Sequence, residues 1–137
     1  DATESLCASD QGNLAGSMGD VSCFSFNGNK LITTGGGGMV VTSNPKWAER
    51  ARYLTTQAKD DPIEYFHGEI GFNYRLTNIQ AALGVAQMER LDEFASRKRA
   101  IAAVYADAFI SMEGVTPMPA RPGTAPIHWL YIHPSTH

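Results

Sequence analysis

The stretch that most constrains the fold runs from Val21 to Thr42 and reads VSCFSFNGNKLITTGGGGMVVT. It contains two short apolar runs, Val21–Phe26 and Met39–Thr42, whose residue types favour β-strands. Turn-forming residues and four consecutive glycines, Gly35–Gly38, separate the two runs. The sequence therefore predicts two strands joined by a flexible loop, with Lys30 on a turn just after the first strand.

A lysine at the end of a buried strand is a candidate nucleophile. Proteins with α/β folds commonly place their chemistry at strand ends, and a desolvated lysine loses its charge readily and can form a Schiff base. One hypothesis is therefore that Lys30 forms a Schiff base with pyridoxal phosphate (PLP). The spacing alone favours an ordinary surface lysine on a hairpin, because PLP lysines follow no strict motif. A P-loop does not fit, since here the glycines follow the lysine.

Composition excludes several classes of function. The 137 residues are 43% hydrophobic and 18% charged, which is typical of one soluble globular unit. A net charge of -3 argues against general attraction to nucleic acid or anionic membranes, and no apolar run approaches the length of a membrane span. Two cysteines are too few for a disulfide framework, so a reduced, cytoplasmic setting is expected, with Cys23 packed inside its strand.

The rest of the chain alternates helical and irregular segments. Asn44 and Pro45 predict a helix start, with Asn44 as N-cap and the helix running to about Leu54. Apolar residues at spacings of three or four predict one long helix from Thr77 to about Met112. A proline-rich linker over 115–126 follows, and His128–His133 is a strand candidate. The histidines are not at ligand spacing, so no metal site is expected.

Four segments carry a family resemblance. They are DATESL (1–6), GSMGDVSCFSFNGNK (16–30), TGGGGMVVTSN (34–44) and GFNYRLTNIQAALGVAQMERLDEF (71–94). In this order they closely resemble the DegT/DnrJ/EryC1/StrS sugar aminotransferases, which are fold-type I PLP enzymes. The resemblance is unbroken from Asp1 to about Tyr105 and weaker beyond.

The resemblance implies an α/β fold with a mixed, mostly parallel sheet and a division into three parts. Residues 1–76 would be the C-terminal half of the PLP-binding large domain. Residues 77–113 would form the long connecting helix, and residues 114–137 the linker and first strand of a small C-terminal domain. Family members are several hundred residues long, so the chain is expected to be the middle of such a protein.

Four site residues are implied within one chain. Lys30 would be the lysine that forms the Schiff base and moves the proton. Asp1 would keep the pyridine nitrogen protonated, although the residues alone favour an aspartate that caps a turn at the strand end. Glu4 would lie near the cofactor ring, and Ser25 would bind the cofactor phosphate.

Strand alternation independently separates Ser25 from its aromatic neighbours. Side chains alternate between the two faces of a strand, so Ser25 should face away from Phe24 and Phe26. A hydrogen bond to neighbouring backbone is the plain alternative to a phosphate contact.

Two further residues imply a shared site. Asn73 would reach the partner's cofactor phosphate and Arg75 the partner's substrate phosphates, so a homodimer is expected. The implied reaction moves an amino group, with glutamate as the expected donor, to a nucleotide-linked 4-keto-6-deoxy sugar. The alternative is a catalytically inert fragment that only folds or self-associates. Related sugar dehydratases are disfavoured because they carry histidine where this chain has Lys30.

Overall fold

The computed structural model describes residues 1–61 and 63–132. Within them lie five short strands and three helices. The strands are β1 (Ser9–Asp10), β2 (Asn13–Leu14), β3 (Ser22–Ser25), β4 (Gly38–Val41) and β5 (Thr124–Ala125), and the helices are α1 (Pro45–Thr55), α2 (Asn78–Met88) and α3 (Leu91–Phe109). None of the described helices is long and apolar enough to cross a membrane.

The two predicted strands form an antiparallel pair, β3 with β4. Ser22 faces Val41 and Ser25 faces Gly38 across the pair. The Phe26 N–H donates to the Gly37 carbonyl at 2.9 Å and extends the pairing by one step. The named strand pairs of the described residues are all antiparallel, so the parallel strands expected of the whole domain are not among them.

Cys23 is a correction to the sequence-based expectation. Its side chain is exposed rather than packed. The β3–β4 sheet has two strands within the described residues, and no described element buries the Cys23 side chain.

A second sheet has the order β2-β1-β5. Gln11 and Gly12 both have positive φ and make the two-residue turn between β1 and β2. The third strand, β5, lies inside the segment that the prolines had marked as a linker. It pairs with β1, and the Arg121 guanidinium donates to the Asp10 carboxylate at 2.8 Å beside it. This pairing joins the two ends of the described chain.

Helix α1 begins where the sequence predicts. The Asn44 side-chain oxygen accepts the N–H groups of Lys46 and Trp47, and Pro45 occupies the first turn. This is the N-cap arrangement that satisfies helix donors lacking an intrahelical partner.

The single long helix predicted from Thr77 is wrong. Helix α2 ends at Met88, and α3 begins at Leu91 after a turn at Glu89 and Arg90. No glycine or proline marks the break. The apolar pattern does carry a signal of the break. Ala86 and Leu91 are five residues apart, and a helix makes more than one full turn over five residues, so these two side chains would not lie on the same face of one helix.

The large apolar side chains of α2 are not the ones that pack closest to the site. Ile79 is 84% exposed, whereas Gly84 faces the loop after Lys30. A Cβ on Gly84 would lie 3.0 Å from the Thr34 methyl carbon. The small residues of α2 therefore do allow the close approach that their size suggests.

The strand predicted over His128–His133 is absent in its described part, residues 128–132. His128 has φ of +50°, a left-handed conformation that interrupts an extended run. His133 lies outside the described residues.

Candidate active site

Lys30 lies on a turn immediately after β3, as predicted. Its backbone N–H donates to the Asn27 carbonyl at 3.0 Å, which closes the four-residue turn. Ile32, two residues after Lys30, is only 2% exposed and anchors the loop in the core. The turn thus projects the Lys30 side chain from a fixed base.

The Lys30 amine is largely shielded from solvent. Its side chain is 13% exposed, and Nζ lies 3.7 Å from the Glu4 carboxylate. On another side, Nζ lies 3.9 Å from the centroid of the Trp129 ring. Lys30 lines a small cavity of about 10 Å³, and Ser25, Thr3 and Glu4 are among the other residues of its lining. The structure therefore brings together three of the predicted residues, Lys30, Glu4 and Ser25.

Ser25 faces this cavity while its neighbours face the opposite side. Phe24 and Phe26 line a separate apolar cavity of about 520 Å³ between the β3–β4 pair and α2. The alternation prediction is confirmed. The Ser25 hydroxyl oxygen also accepts the Asn27 N–H at 3.3 Å, so its contact in this structure is with the Lys30 turn itself.

Asp1 is positioned beside the same strand. The N–H of Ala2 donates to the Cys23 carbonyl at 3.0 Å, which places the Asp1 segment along β3. The Asp1 carboxylate accepts the Thr3 N–H at 3.0 Å. In this contact Asp1 caps a turn through one carboxylate oxygen, Oδ1, as in the alternative to the cofactor role.

The glycine loop brings β4 back against β3. Gly35 and Gly37 have φ near +80°, a conformation that glycine adopts without strain. A Cβ on Gly37 would lie 2.4 Å from the Leu76 side chain, and one on Gly38 would lie 2.2 Å from the Phe24 carbonyl oxygen. Conformation therefore favours glycine at Gly35 and Gly37, and space requires it at Gly38, where the clash is with backbone.

Gln87 of α2 ties the loop after Lys30 to the helix. Its side-chain oxygen accepts the Thr33 N–H at 3.0 Å, and its amide nitrogen donates to the Thr33 carbonyl at 2.7 Å. Sequence reasoning missed this residue. The available signal was an amide in a helix that is otherwise mainly apolar.

Asn73 and Arg75 line a second cavity, a groove of about 740 Å³ near the end of α1. Phe72 and Tyr74 donate backbone N–H groups to the Leu54 and Thr55 carbonyls and hold this segment against α1. Arg52 and Lys59, which sequence reasoning did not single out, lie in the same lining. The groove therefore gathers three cationic side chains, which suits an anionic ligand.

Trp129 is a further residue that sequence reasoning missed. It is about a hundred residues from Lys30 in the chain, and no local pattern connects the two. Metal-binding clusters of histidine, cysteine and carboxylate residues are absent from the described part of the chain.

A shielded amine at a strand end, facing a carboxylate and a hydroxyl, is the donor set of a protein that binds an aldehyde cofactor through lysine. Comparison with known proteins gives the class. Residues 1–136 match the DegT/DnrJ/EryC1/StrS aminotransferase family. The chain belongs to this family, whose aminotransferases are PLP-dependent.

Individual relatives agree. The chain is 45% identical over 130 residues to a putative PLP-dependent aminotransferase, EpsN, of Bacillus subtilis, covering 95% of this chain and 34% of the relative. It is 48% identical over 105 residues to GDP-perosamine synthase of Escherichia coli O157:H7, covering 77% and 29%.

Solved structures give the same fold. S. venezuelae DesV, crystallised with a ketimine intermediate, matches with a TM-score of 0.89 at 32% identity, covering 98% of this chain and 36% of DesV. The fold class is therefore that of the fold-type I aminotransferases. The chain spans about a third of the length of the relatives it matches.

Proposed function

We propose that the protein is a PLP-dependent aminotransferase of nucleotide-linked keto-sugars. The observation that carries the proposal is the Lys30 amine, shielded from solvent on the turn after β3 with Glu4 and Ser25 beside it. The name of the perosamine synthase relative supports a nucleotide-linked sugar substrate. The finer assignment is a 4-keto-6-deoxy sugar, with glutamate as amino donor.

The chain's own residues have distinct roles in this proposal. Lys30 would hold the cofactor through its amine and, when released, would carry the proton between the substrate and cofactor carbons. Asp1 would pair with the pyridine nitrogen and keep it protonated, Glu4 would lie beside the ring, and Ser25 would bind the phosphate. When bound, PLP supplies the electron sink that stabilises the carbanion of the substrate.

The groove residues complete a site shared by two copies. Asn73 donates to the phosphate of the partner's cofactor, and Arg75 binds the phosphates of the partner's substrate. Each chain then contributes residues 1–76 to the cofactor-binding domain, residues 77–113 to the connecting helical segment and residues 114–137 to the start of the small domain.

A second candidate is a chain that folds but does not act as a catalyst. The observation favouring it is the small space around Lys30, because about 10 Å³ holds no more than one water molecule. The amine must therefore move before a pyridine ring can reach it.

One experiment separates the two candidates. The 137-residue chain is mixed with PLP, reduced with borohydride and digested, and the peptides are analysed by mass spectrometry. The aminotransferase proposal predicts a reduced adduct on Lys30, loss of the near-visible absorbance in Lys30→Ala, and a retained signal in the matched control Lys46→Ala. An unlabelled Lys30 peptide favours the inert chain.

A further inference from the structure

Trp129 contacts the Lys30 turn at two points. Its ring face lies against the Lys30 amine at 3.9 Å, and its indole N–H donates to the Asn29 carbonyl at 2.7 Å. A cation over an indole face is attracted by the ring quadrupole, most strongly where solvent is excluded. Since the Lys30 side chain is 13% exposed, this contact is largely desolvated.

The backbone of Trp129 is itself held by α3. The Lys98 ammonium donates to the Trp129 carbonyl at 3.2 Å in a partly buried contact. Ile127, two residues earlier, is buried and lines the same small cavity as Lys30. The segment after β5 therefore forms a fixed wall against the Lys30 turn rather than a loose tail.

Covalent capture of the amine is incompatible with this contact. An aldehyde carbon must come within bonding distance of Nζ, with its pyridine ring attached, yet the small cavity that Lys30 lines has a volume of about 10 Å³. The indole occupies one side of Nζ and Glu4 another. Either Lys30 or Trp129 must move, and both movements break the cation–π contact.

We propose that Trp129 is a positioning residue that stabilises the released, unreacted amine of Lys30. The inference rests on the proposed function, because it concerns the lysine that binds the cofactor. Trp129 stabilises only one of the two states, so it shifts the balance from the cofactor-linked lysine toward the free lysine. In the reaction, this contact would hold the released lysine near the site in its ammonium form, the form that carries the proton.

The contact is tested first without cofactor. Trp47→Phe leaves Trp129 as the only tryptophan of the two in the sequence. An ammonium against an indole quenches its fluorescence, so in this background Lys30→Met should raise the Trp129 emission. The exposed Lys46 is the matched control, and Lys46→Met should leave the emission unchanged. Equal emission with and without the Lys30 ammonium would overturn the proposal.

The shift in balance is tested by capture. At a sub-saturating PLP concentration, borohydride reduction and mass spectrometry give the labelled fraction of Lys30. Trp129→Ala should raise the ratio of linked to free lysine by about 2- to 30-fold, the range expected for a cation–π contact. Trp129→Phe keeps a ring face but loses the N–H donor, so it should lie between Trp129→Ala and the unmodified chain.

The sign of the change separates positioning from damage. A merely structural role predicts less labelling in Trp129→Ala, and less or unchanged labelling overturns the proposal. If no variant or parent chain is labelled at all, the proposed function fails, while the fluorescence comparison still decides whether the Trp129–Lys30 contact exists. The two failures are therefore distinguishable.

Discussion

At the scale of single residues, the site depends on the glycines after Lys30 more than on any polar contact. The glycine run is visible in the sequence, but which of the four positions cannot accept a side chain depends on neighbours that approach only in the fold. Gly38 is the sharpest case, because the Phe24 carbonyl oxygen occupies the place of a Cβ.

Gly38→Ala should destabilise the chain by about 1–3 kcal/mol, since the clash is with backbone and the β3–β4 pair must shift to relieve it. Gly36 is the matched control, because a Cβ there meets nothing within 4 Å. Gly36→Ala should stay within about 0.5 kcal/mol of the parent. Urea unfolding of the three proteins measures both values, and equal losses would contradict the described packing.

The two cysteines should differ in reactivity. Burial raises the pKa of the Cys7 thiol; Arg99 opposes this and Asp92 adds to it. Because the thiolate is the reactive form, a raised pKa lowers the reactive fraction at mildly alkaline pH. Cys23 is exposed.

Single-cysteine variants test this difference directly. Cys7→Ser, which retains Cys23, should react with iodoacetamide at pH 8 faster than Cys23→Ser, which retains Cys7. The rate for Cys7 should keep rising with pH beyond the ordinary thiol range. Faster labelling of Cys7 would show that its surroundings differ from those described.

At the scale of elements, local sequence rules located β3, β4 and the start of α1 because each depends on neighbours in the chain. Asn44 and Pro45 specify a cap by themselves. The break between α2 and α3, the pairing of β5 with β1 and the position of Trp129 depend on contacts between distant segments, and no local pattern encodes them. The family resemblance supplied the roles of Asp1, Asn73 and Arg75, which residue chemistry alone left open.

The α2 helix acts on the site through Gln87. Gln87→Leu removes both hydrogen bonds to Thr33 and leaves the partly buried N–H and carbonyl of Thr33 without that partner. The substitution should therefore lower the free energy of unfolding by about 1–3 kcal/mol. Glu89→Leu, the same kind of change at an exposed position two residues on, is the control and should stay within about 0.5 kcal/mol. Thermal and urea unfolding provide the measurement. A neutral Gln87→Leu would mean that the loop after Lys30 is held by other contacts.

At the scale of the whole molecule, the chain exposes more surface than its mass requires. Its accessible surface is 9831 Å², whereas a compact monomer of 14.8 kDa has roughly 7,000 Å². Large apolar side chains such as Val40, Tyr74 and Ile79 are more than half exposed. Such surface favours association with further protein, in keeping with the proposed shared site.

Mixing two defective chains tests that sharing. In a dimer of Lys30→Ala with Asn73→Ala, one site has lost both residues and the other retains both, since Lys30 and Asn73 come from different copies. Random pairing of equal amounts gives about a quarter of the sites intact. Labelling of Lys30 in the Asn73→Ala chain at limiting PLP should therefore rise when the Lys30→Ala chain is added. Unchanged labelling would place both residues in the same copy's site or exclude a role for Asn73.

The amine on the turn after β3 is proposed to be the group that binds the cofactor. The most direct test is identification of the lysine that borohydride fixes to PLP, by mass spectrometry of the digested chain. Lys30 should carry the label ahead of the other lysines. Label distributed over exposed lysines such as Lys46, with Lys30 unmodified, would contradict it.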